Sequence, residues 1–228
     1  MELIPITDFD KRYFPEVSEE EKINFILHSN NFERISMKKE EVQSHLLIPQ
    51  RAHPAVSGQM RCFHLVLELA PNPELIPHPD LITPATFDKH FPWLKSLHKN
   101  LLFDFAKKGE ELINLIDYPS KEELGKFREL PLLATSFKSL ATHLRSIKDN
   151  LENPRLMEQE DWQKLEQKIY HASLDIACIK PFRDGSNRIA RLTENLFRLN
   201  SGLKFKIHED KDDYLREVQE HQDRYYKF

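Results

Sequence analysis

With 228 residues, 39% of them hydrophobic, the chain is long enough to bury one sizeable core, and a single domain is expected. A formal net charge of −4 excludes the global basic field that drives nonspecific nucleic-acid binding. The two cysteines, Cys62 and Cys178, are too few for a disulfide framework or a zinc-ligand set and suit a reducing compartment.

Only five glycines occur, and long stretches of helical spacing lie between proline-marked breaks, so an all-α fold is predicted. At the N-terminal end, Glu2, Asp8 and Asp10 surround Ile4-Pro5-Ile6 without the basic start or apolar run of a signal peptide. No segment has the length of a membrane span. The expectation is cytoplasmic residence, or export by a dedicated secretion system, with neither a membrane nor nucleic acid as partner. Ser18 and Glu21 form a predicted capping box for a helix through about His28, and Ser36 is the predicted cap of a second through about Leu47. A linker with Pro49, His53 and Pro54 leads to a helix ending near Ala70, with Met60, Phe63, Val66 and Leu67 on its apolar side.

Thr83 before Pro84 predicts another helix start, and Pro92 divides that run from a helix over about Trp93 to Phe105. From about Lys107 to Arg128 the pattern weakens into an irregular connection, and a helix resumes over about Leu132 to Leu151. The strongest periodicity joins Trp162, Leu165, Ile169, Ala172, Ile176 and Ile179 as the buried stripe of one long helix. Ile189, Leu192, Leu196, Leu199 and Leu203 repeat that spacing, and Gly202 is a plausible stop. A last amphipathic helix over about Asp212 to Tyr226 packs Tyr214, Leu215 and Val218.

Between the two most periodic helices lies Lys180-Pro181-Phe182-Arg183-Asp184-Gly185-Ser186-Asn187-Arg188-Ile189-Ala190-Arg191. Three arginines and a lysine surround one carboxylate and a Gly-Ser-Asn turn that opens a helix, whose free N–H groups suit an anion. Arg188 and Arg191 stand three positions apart and reach the same region. Asp184 is placed for a Mg²⁺ bridging two phosphates, since that ion takes few protein ligands. An ordinary Arg–Asp surface network is the plainer alternative. Phe182 is read as a core anchor for the turn, and His171, earlier on the same helix as Lys180, as structural.

The segment resembles the Fic-family signature H-x-F-x-[DE]-G-N-G-R-x-x-R. Phe182, Asp184, Gly185, Arg188 and Arg191 match it, whereas Lys180 replaces the histidine, Ser186 the asparagine and Asn187 the second glycine. Tyr170-His171 through Ile179 is similar to the family's helix entering the site, Leu124 to Arg128 to its upstream Gly-x-[FY]-Arg element, and Asp213-Tyr214-Leu215 to its downstream continuation. Ser29-Asn30-Asn31-Phe32-Glu33-Arg34 resembles the inhibitory pattern [ST]-x-x-x-E-[GN], with Arg34 departing from it. An ordinary helix-end glutamate is the alternative for Glu33. The resemblance implies N-terminal helices over 1–50 carrying the inhibitory element, and a Fic-like helical core over 51–228 with a short irregular or hairpin flap.

Typical Fic proteins transfer AMP from ATP to a hydroxyl on a target protein. The resemblance therefore implies ATP or another nucleotide with Mg²⁺ as cofactors and a protein as possible partner. It places Gly185, Ser186, Asn187, Arg188 and Arg191 on the nucleotide, Asp184 on the metal, Lys180 at the catalytic position, and Glu33 as an inhibitor paired with Arg191. Lysine is a poor general base at neutral pH because its amine is almost wholly protonated. The leading expectation is a nucleotide-binding homologue, weak or inactive in AMP transfer. Two others stand beside it: an active transferase of altered chemistry using Lys180, since relatives with a bulky residue at the second-glycine position act as kinases, and an interaction module that binds no nucleotide.

Overall fold

The computed structural model describes residues 16–47, 53–72, 74–103, 130–151, 159–182 and 184–226. Among these the regular structure is helical, as expected: α1 (Glu19–Phe32), α2 (Lys39–Leu47), α3 (Pro54–Leu69), a short 3-10 turn (Pro79–Leu81), α4 (Phe87–His90), α5 (Pro92–Leu102), α6 (Leu130–Leu151), α7 (Gln159–Ile179), α8 (Ser186–Asn200) and α9 (Lys211–Tyr225). The expected flap and the Leu124 to Arg128 element lie outside the described residues, as does Arg183.

The core is built around α8, where only Asn187 and Asn200 escape full burial. It packs on α7, α3 and α5, with α6 and α9 on α7 and α1 against α3 and α9. An aromatic cluster joins the layers: Phe91 and Phe137 have ring centroids 4.7 Å apart, and Phe137 and Phe197 5.4 Å apart. Helices α3 and α5 cross at Gly58, where a Cβ would stand 2.1 Å from the Leu101 carbonyl oxygen, so no other residue fits without moving the backbone.

The Ser18 capping box forms as predicted, but α1 runs one turn further than expected, to Phe32. Its end is a Schellman motif, with Ile35 N–H donating to the Asn30 carbonyl at 3.0 Å and Arg34 N–H to that of Asn31 at 3.1 Å. The left-handed position of that motif falls on Arg34, at φ 63°. The same motif closes α8, where glycine occupies the position as Gly202, φ 75°.

Two helix starts and one side chain differ from the sequence expectation. Helix α2 begins at Lys39 and is entered by Lys38 N–H donating to the Glu41 carboxylate, so Ser36 is not its cap. Thr83 is hydrogen-bonded to Thr86 in a separate turn, and the helix starts only at Phe87. Leu215, expected in the core, is 40% exposed because α9 turns Tyr214 inward instead. His53 caps α3 through its Nδ1, with Pro54 in the first turn.

Candidate phosphate site

Burying a charged side chain is costly unless it is paired, so the polar residues of α8 must be accounted for one by one. Glu194, fully buried, accepts from His208 at 2.6 Å and lies 3.3 Å from Lys206 Nζ. Burial pushes its carboxyl up, but the His208 hydrogen bond and the charges of His208, Lys206 and Arg198 outweigh that and hold it below the usual range. Asn195 ties the extended segment after α8 through both the N–H and the carbonyl of Lys206. Arg198 pairs with Glu166 at 2.8 Å and with the Lys204 carbonyl.

Arg191, 2% exposed, is bound to the end of α1. Its Nε donates to Ser29 Oγ at 3.3 Å, and its Nη2 reaches Ser29 Oγ at 3.1 Å, the Ser29 carbonyl at 3.2 Å and Glu33 Oε1 at 3.1 Å. The guanidinium lies over the rings of Phe32 and Tyr214, at 4.9 and 5.3 Å. The structure thus places Glu33 beside Arg191. Ser29 contributes more contacts than the glutamate does.

Arg188 is different. It is 4% exposed, its nearest acid is Asp184 at 3.6 Å from Nη2, and its Nε and Nη1 have no hydrogen-bond partner among the described residues. It stands in the first turn of α8, whose N-cap is Gly185 and therefore supplies no side-chain cap to the free N–H groups. Gly185 is required twice: its φ is +78°, and a Cβ would meet Leu101 Cδ2 at 2.9 Å.

Ser186, Asn187 and Lys180 differ in their settings. The Ser186 hydroxyl donates to the Phe182 carbonyl at 3.0 Å and accepts from Phe182 N–H at 3.2 Å, closing the turn on itself. Asn187 has an ordinary helical backbone inside α8. Lys180, in contrast, carries φ +50° as the first residue after α7, and its side chain is exposed. Asp184 is also exposed, with Oδ1 accepting from Gly185 N–H at 2.6 Å. His171 faces α9, with its ring 5.3 Å from that of His221, in keeping with a structural role.

A further residue, His98 of α5, reaches the turn. Its Nε2 lies 2.8 Å from the Asp184 carbonyl, and its ring stacks on Phe182 with centroids 4.0 Å apart and planes at 9°. No sequence signal separates it from the Leu-rich stripe in which it is embedded.

Residues 90–198 match the family model described as Fic/DOC family. This stretch is a Fic/DOC domain. It spans α5 to α8 and contains the whole turn, while Ser29 and Glu33 on one side and Tyr214 on the other lie beyond the matched residues. No curated protein and no solved structure matches the chain. Among the described residues no helix is long and apolar enough to cross a membrane.

Proposed function

We propose that this Fic/DOC protein binds a nucleotide through the start of α8 and is weak or inactive in transferring AMP to a protein hydroxyl. The observation that carries this reading is Arg188: a buried guanidinium with unpaired donors, beside uncapped helix amides, is costly unless a ligand anion completes it. A phosphate supplies acceptors of the right charge and geometry, favoured further by the helix dipole.

Mg²⁺ fits the donors at hand. It commonly uses one or two carboxylates and fills its shell with phosphate oxygens and water, and Asp184 offers one exposed carboxylate. When bound, the ion would neutralise phosphate charge. Lys180 stands where the family's base would take the proton of the target hydroxyl, and an ammonium has no lone pair for that proton. With Ser186 turned into the loop, its hydroxyl does not orient the phosphate either. Glu33 and Ser29 act as an inhibitory element by occupying Arg191.

The test is incubation with labelled ATP, Mg²⁺ and cell lysate. Wild type and Lys180→Ala are expected to label nothing, whereas Lys180→His, Ser186→Asn and Asn187→Gly combined with Glu33→Gly restore labelling. Labelling by wild type that disappears in Lys180→Ala would instead establish an active transferase using Lys180.

A further inference from the structure

We propose that His98 is a positioning residue for the phosphate turn: by donating Nε2–H to the Asp184 carbonyl, it orients the 184–185 peptide so that the turn's N–H groups face the ligand. This inference rests on reading the start of α8 as a phosphate site.

The hydrogen bond fixes more than one atom. A carbonyl oxygen can only accept, so at 2.8 Å a proton is on Nε2. Nδ1 is buried and has no partner among the described residues, so nothing competes for the other tautomer. In a planar trans peptide the C=O and the following N–H point in opposite directions. Holding the Asp184 oxygen against α5 therefore turns Gly185 N–H away from the core. There it donates to Asp184 Oδ1 at 2.6 Å, an oxygen acceptor that a phosphate oxygen could replace.

The ring does a second thing. Stacked on Phe182 at 4.0 Å while bonded to Asp184, His98 grips the turn on both sides of residue 183 from a helix 86 positions away in sequence. Gly185 lies close over it, since a Cβ there would be 3.7 Å from His98 Cδ2. With a carbonyl as its acceptor, the ring serves as a fixed donor through Nε2.

Two variants separate the hydrogen bond from the packing. His98→Phe keeps a flat ring on Phe182 and removes the donor; His98→Gln removes the ring and restores an N–H. Titrated with Mg²⁺-ATP and with inorganic pyrophosphate, His98→Phe is expected to bind about tenfold more weakly than wild type, and His98→Gln to recover most of that loss. Equal affinity of His98→Phe and wild type, or no recovery in His98→Gln, overturns the proposal. Nitrogen-15 NMR of the wild-type ring is expected to show the proton on Nε2, and the Gly185 and Ser186 amides are expected to exchange faster in His98→Phe. If wild type binds neither probe, the nucleotide reading fails by itself. The exchange rates still decide the role of His98, because unchanged rates in His98→Phe contradict it.

Discussion

Arg191 is held by Ser29 at least as fully as by Glu33: the serine hydroxyl and carbonyl accept at 3.1 to 3.3 Å, and the carboxylate accepts at 3.1 Å. Glu33→Gly therefore leaves Arg191 tethered to α1 through Ser29. That single change is expected to tighten Mg²⁺-ATP binding by less than about tenfold, and adding Ser29→Ala to tighten it further. Calorimetry on the two variants reads the difference. Full release by Glu33→Gly alone would show that the carboxylate is the only effective restraint.

Arg34 takes a left-handed backbone, φ +63°, at the end of α1, where the family's inhibitory pattern has glycine or asparagine. An L-residue with a Cβ loses ~1 to 2 kcal/mol in that conformation. Arg34→Gly is expected to stabilise the protein by about 0.5–1 kcal/mol after the added freedom of the unfolded chain is counted. Thermal unfolding should then rise by roughly 2 °C. A fall in Tm would mean that the arginine side chain contributes more than its backbone costs.

Gly185→Ala is expected to destabilise by about 1–3 kcal/mol, since the methyl enters both a disfavoured φ of +78° and the space of Leu101 Cδ2. Urea unfolding measures this. A neutral substitution would show that the turn relaxes freely, and the orientation of the α8 amides would then lose its structural basis.

The folded-state pKa of His98, about 4, lies below the ordinary value of 6.5, so folding favours the neutral ring. Its contribution is complete above about pH 6.5 and is lost as pH falls towards 4, amounting to roughly 3 kcal/mol. His143 and His171 shift in the same direction, through burial. The comparison of wild type with His98→Gln at pH 7 and pH 4 isolates the His98 part: the variant should lose less stability on acidification. Equal losses would contradict the buried neutral ring.

Much of this molecule is legible in its sequence where one physical signal acts alone. The 3.6-residue stripe from Leu165 to Ile179 and the Ser18–Glu21 capping box are local, and both form. The turn is legible as chemistry because glycine, aspartate and arginine occur at fixed offsets. What was not legible depends on contacts distant in sequence. The Ser186 hydroxyl could face a ligand or the Phe182 backbone, and only the fold of the turn chooses the latter. His98 sits among leucines on α5, and its function appears only once Asp184 and Phe182 are brought to it. Ser29 is part of a recognised pattern, but its double contact with Arg191 requires α1 and α8 to be packed.

The central claim is that the start of α8 takes a nucleotide phosphate, and Asn187 in its first turn offers the most direct test. Glutamate there suits the helix dipole and preserves the fold, while its charge competes with an anion at the same amides. Calorimetric titration with Mg²⁺-ATP is predicted to give saturable binding to wild type and at least about tenfold weaker binding to Asn187→Glu. No heat with wild type, or equal binding by both proteins, would contradict the account.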